Sequence, residues 1–88
     1  MIKVKAVDET TFEVTVEAKT TTNHRVTLTP DYWEKLTARQ VEPEILIEKS
    51  FAFLLERESN TSILSSFELS LIGHYFPEYE RVIKEALK

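Results

Sequence analysis

Apolar and polar positions alternate three times in the first third of the chain. Ile2, Val4 and Ala6 are separated by Lys3 and Lys5. Phe12, Val14, Val16 and Ala18 alternate with Glu13, Thr15, Glu17 and Lys19. Val26 and Leu28 alternate with Arg25, Thr27 and Thr29. A period of two with β-branched residues predicts half-buried strands, with Ile2, Val4, Phe12, Val14, Val16, Val26 and Leu28 facing the core. The polar stretches "DETT" and "TTTN" read as short connections, so the expected topology is an antiparallel meander with the 12–18 strand in the middle. On the outward face Lys3, Lys5 and Arg25 of the edge strands meet Glu13 and Glu17 of the middle strand. Opposite charges on neighbouring strands support that order and make the face a solvated one.

After residue 29 the period changes to helical. Each of the three prolines is followed by an acid, in "TPDYWEKL", "EPEILIEK" and "FPEYERVI". Proline suits the first helical position, where its missing N–H would have no partner anyway, and an acid in the first turn suits the helix dipole. Helix starts are therefore placed at Pro30, Pro43 and Pro77, with Thr29 as the N-cap of the first. The first helix spans about 30–38 and the last runs on with Tyr79, Val82, Ile83, Ala86 and Leu87 on one stripe. Between them "ESNTS" reads as a loop. "SSFELSLIGHYF" is expected to form a short helix capped by Ser65 or Ser66, with Glu68 in its first turn and Gly73 ending it. The fold class is thus α+β: a three-stranded antiparallel meander followed by three to four helices packed on one face. It forms one domain over 1–88, with the meander in 1–29 and the helical part in 30–88.

The helix over 43–57 is too apolar for a single buried stripe. At about 100° per residue, Ile47, Phe51, Leu54 and Leu55 gather on one side, and Leu46 and Phe53 on another with Ser50 between. Only Glu48, Lys49 and Glu56 form a polar remainder. One arc can cover the sheet. The other needs the C-terminal helices or a second chain, which makes Leu46 and Phe53 candidate interface residues. The edge strand adds Ile2 and Val4 as a second candidate contact.

Composition narrows the function classes. The chain has 88 residues, one glycine, no cysteine and a net charge of −4. A chain of this length buries only about 60–65% of its unfolded surface, enough for a modest core. Its apolar runs are far shorter than the ~20 residues of a membrane span. Its first residues alternate and turn acidic rather than forming a signal peptide, so the expected location is cytoplasmic and no membrane partner is expected. No basic stripe marks a nucleic-acid face. One glycine cannot build a phosphate loop. His24 and His74 lie on different elements with no carboxylate or cysteine spacing around them, so each reads as a surface or half-buried structural histidine rather than a catalyst or metal ligand. Tyr32 and Trp33 can form a ligand platform, although aromatics beside a sheet usually belong to the core. No catalytic residue, cofactor or metal is expected.

Two resemblances bear on function. The segment "HRVTLTPDYWEKLTARQVEPEILIEKSFAFLLERE", residues 24–58, resembles a ribbon-helix-helix DNA-binding motif, with "RVTLTP" as the strand and "EILIEKSFAFLLE" as the second helix. In that family the strands of two subunits pair and their outward side chains enter the major groove. The resemblance would make Arg25, Thr27 and Thr29 the DNA-contacting residues. Most of the chain is also similar to small bacterial proteins of uncharacterised function with the pattern "HRVT…LIEKSF.FLLERE.N.SIL.SF", a similarity that implies no activity. The expected role is a non-enzymatic interaction or accessory domain with a protein partner, or self-association as a homodimer. The alternative is a ribbon-helix-helix-like DNA-binding regulator or antitoxin.

Overall fold

A computed structural model describes all residues, Met1–Lys88. Strands β1 (Ile2–Ala6), β2 (Thr11–Glu17) and β3 (Thr21–Thr27) form the expected antiparallel meander. The β1–β2 turn is shaped by Asp8, whose Oδ1 accepts from the N–H groups of Thr10 at 2.9 Å and Thr11 at 2.8 Å. Those backbone donors hold the Asp8 carboxyl below its usual range. The faces are as the alternation predicts: Phe12, Val14, Val16 and Val26 are buried, while Lys3, Lys5, Glu13 and Arg25 are exposed. Ile2 and Val4, on the edge, are half-buried against the core. Lys3 reaches Glu17 at 3.0 Å and Arg25 reaches Glu13 at 3.1 Å.

The helices are α1 (Pro30–Thr37), α2 (Pro43–Leu55), α3 (Leu71–Tyr75) and α4 (Tyr79–Ala86). Thr29 caps α1 by accepting the Tyr32 N–H at 3.2 Å. Helix α1 ends without glycine, on Ala38 and Arg39 with φ of 52° and 62°. Left-handed backbone at such residues costs about 1–2 kcal/mol each. Thr37 and Glu34 offset it: the Thr37 hydroxyl accepts the Arg39 N–H at 3.1 Å, and Glu34 binds the Arg39 guanidinium at 2.6 Å.

Helix α2 is covered on both sides by its own chain. Its sheet side carries Phe51, whose ring lies 5.4 Å from that of His24 on β3. On the other side the Phe53 ring packs edge-on against Phe76 at 5.9 Å and Tyr79 at 5.3 Å. Between the arcs Ser50 donates to Leu46 O at 2.7 Å and receives the Tyr79 hydroxyl at 2.6 Å. Leu46 and Phe53 are 0% and 4% exposed, so both are covered within the chain. Phe76, which follows α3, and Tyr79 of α4 supply the cover on this side.

Three further expectations are corrected. The sheet has four strands in the order β1-β2-β3-β4, because Ser66–Glu68 forms β4, parallel to β3. The expected helix starting at Ser65 or Ser66 gives way to this strand and to α3, in which Gly73 is an interior residue rather than a terminator. Phe67 and Leu69 alternate with Ser66 and Glu68, and pairing beside Val26 outweighs local helix preference. Helix α4 begins at Tyr79 with Glu78 as N-cap, so Pro77 lies in the preceding turn and not at its first position.

Candidate functional site

The residues singled out by sequence scatter over the fold. Tyr32 and Trp33 are partly buried on the core, and both polar ends are spent within the chain. The Tyr32 hydroxyl donates to Glu80 Oε2 at 2.8 Å, and Trp33 Nε1–H donates to Val41 O at 2.8 Å. Lys35 completes the first contact, 3.3 Å from Glu80. Burial and the bond to Glu80 push the Tyr32 phenol well up. Burial pushes the Glu80 carboxyl up too, but the donors Tyr32 and Lys35 outweigh it and leave it below its usual range. These shifts belong to a joint between α1 and α4.

Arg25, Thr27 and Thr29 do not form a free ribbon. Strand β3 has β2 on one edge and β4 on the other. Arg25 is paired with Glu13, Thr27 is half-buried and Thr29 is occupied as a helix cap. An exposed pair of this kind contributes roughly 0.2–1 kcal/mol.

His24 lies on the dry face and is 4% exposed. Its Nδ1 is 2.7 Å from Leu64 O, which can only accept, so Nδ1 carries the proton. Nε2 is then the acceptor for the Thr22 hydroxyl at 2.9 Å. Thr22 Oγ1 accepts in turn from Asn60 Nδ2 at 3.0 Å, and the same amide donates to Thr20 O at 2.7 Å. This network ties the 58–65 loop, with a 3-10 turn at Asn60–Ser62, onto the end of β3. His74 is exposed and stands edge-on to Tyr75. No three His, Asp or Glu side chains converge as a metal site.

The anchored loop creates the main concavity. It turns Ile63 inward and Leu64 outward. Leu64 lines a groove of about 380 Å³ together with Phe67 of β4, Leu71, Ile72 and Tyr75 of α3, and Leu54 and Phe76. Eight of its ten lining residues are hydrophobic; the polar two are Glu58 and Ser62. Leu64 is 50% and Tyr75 64% exposed. The volume falls within the ~300–1,000 Å³ of binding clefts. A second hollow, about 270 Å³, lies at the C-terminal ends of α1 and α4 beside Lys35, Lys84 and Lys88. Cations there compensate two helix dipoles, and Lys35 and Lys88 are already paired with Glu80 and Glu85.

β1 is one of the two edge strands of the sheet. Met1 and Glu17 exchange both backbone bonds, and Val7 N–H donates to Thr11 O. By antiparallel alternation, Ile2, Val4 and Ala6 point their N–H and C=O groups away from β2.

Comparison with protein-family models, curated proteins and solved structures finds no match for this chain. No helix is long and apolar enough to cross a membrane.

Proposed function

We propose that this chain is a non-enzymatic interaction module whose working surface is the groove between the 58–65 loop, β4 and α3. One observation carries the reading: Leu64 and Tyr75, two of the five large hydrophobic residues left exposed, line the same apolar concavity. Exposed apolar side chains are ordinary when single, but grouped around a cleft they mark a binding surface. The ionisable groups support the non-catalytic side of the proposal. His24, Tyr32, Tyr79 and Glu80 are each engaged in bonds that join elements of the fold. The test is amide chemical-shift mapping with small apolar probes, indole and para-cresol. Shifts are expected to cluster on Leu64, Phe67, Leu71 and Tyr75. Shifts spread evenly over the surface would remove the groove as the working site.

Self-association is not part of this reading, although the outer edge of β1 is where a second copy would pair. A second copy pairing antiparallel about Val4 would set Lys3 opposite Lys5, and like charges facing across strands destabilise the pair. Lysines on an edge strand are a familiar guard against such pairing. Light scattering is therefore expected to return a single-chain mass at micromolar concentration; a stable dimer there would show that the edge is not guarded. The DNA-binding alternative requires an intermolecular ribbon at β3, and both of that strand's edges are occupied within the chain.

A further inference from the structure

The groove carries a second signal in its charge. Residues 54–76, which contribute every side chain lining it, include the acids Glu56, Glu58 and Glu68 but only one strong base, Arg57. That base is engaged elsewhere. Its guanidinium lies 3.6 Å over the Phe53 ring, donates to Phe53 O at 3.0 Å and bridges to Glu78 at 3.3 Å. Glu58 is different. It lines the groove, is half-buried, and its carboxylate has no hydrogen-bond or ionic partner in the chain. An apolar cleft with one unpaired carboxylate on its wall is complementary to an apolar group that carries a cation beside it.

From this complementarity we infer that the groove docks a short basic amphipathic segment of a partner protein, with apolar anchors between Leu64 and Tyr75 and a lysine or arginine on Glu58. The inference rests on the groove being the working surface and adds the chemistry of its occupant. A segment fits better than a small amine, because Leu64 and Tyr75 both line the groove and are both exposed, and a chain can cover the two at once. The acidic surroundings steer such a segment inward from a distance, and salt weakens that steering.

The experiment uses two synthetic amphipathic helices of about fourteen residues, roughly four turns. One is built of leucine and lysine, the other has every lysine replaced by glutamate. The lysine peptide is expected to shift the amides of Leu64, Phe67 and Tyr75 and to bind about tenfold tighter than the glutamate peptide at low salt. Glu58→Gln should weaken it about fivefold, while Glu48→Gln, on the polar side of α2, should leave it unchanged. Equal binding of the two peptides, or equal effects of the two substitutions, would overturn the cationic occupant and leave the groove standing. Peptide shifts that fall away from the groove would overturn both readings. Benzylamine binding as tightly as the peptide would replace the segment by a small ligand. Concentration-dependent shifts at Leu64 and Tyr75 without peptide would replace it by a second copy.

Discussion

Replacing Phe51 by alanine is expected to cost about 3–5 kcal/mol, the range for removing a large buried aromatic ring. Phe51 is fully buried and stands at the junction of three elements. Its ring lies 5.4 Å from that of His24 on β3 and 6.0 Å from that of Phe67 on β4. Alanine would leave a cavity beside β3 and β4, next to the network that holds the groove loop. A chain of this length has a total stability of roughly 4–13 kcal/mol at ~0.05–0.15 kcal/mol per residue, so the loss removes about a quarter of it or more. Glu48→Ala, on the exposed side of the same helix, should change stability by no more than about 0.5 kcal/mol. Urea titrations of both variants check the contrast. Similar losses would mean that the faces of α2 are assigned wrongly.

The sequence pattern carried the faces of the sheet further than the number of its strands. Alternation at 2–6, 12–16 and 26–28 was sufficient because one face meets the core and the other meets water, so register and burial are the same statement. The same alternation extends back to His24 and Thr22, since His24 is two residues from Val26. That parity is the signal that places His24 inside, and the polar run "TTTN" obscured it. Strand β4 was hidden for another reason. Three residues give too few alternations to show a period, and β4 exists only because the 58–65 loop, held by Asn60 and His24, returns the chain beside β3. The groove inherits this difficulty. Leu64 and Ile63 are neighbours of similar chemistry, and only the anchored loop decides that one is buried and the other exposed. Glu58 is equally ordinary in sequence; what distinguishes it is Arg57 turning towards Glu78 and Phe53. The broad apolar arc of α2 is legible in the sequence, but its cover is not, because amphipathic stripes do not say which chain they face.

Tyr79 supplies that cover, and it should be the second position at which truncation is severe. It is fully buried and faces Phe53 at 5.3 Å. Tyr79→Ala is expected to cost about 3–5 kcal/mol, like other large aromatics. Tyr79→Phe should cost only about 0.5–1.5 kcal/mol, the net worth of one hydrogen bond, because Ser50 keeps its bond to Leu46 O when the phenol is gone. The hydroxyl also sets an alkaline limit. Burial, the largest influence, pushes the Tyr79 phenol well above its ordinary value near 10. The folded chain therefore keeps its proton where the unfolded chain loses it. A raised folded value stabilises fully below pH 10 and loses that contribution as the pH rises above it, at up to about 1.4 kcal/mol per pH unit. Wild-type protein should thus lose stability between about pH 10 and 12, and Tyr79→Phe should reduce that slope while remaining slightly less stable at pH 7. Urea midpoints measured across this range separate the two effects. A slope unchanged in Tyr79→Phe would place the phenol in contact with water and remove Tyr79 from the seam between α2 and α4.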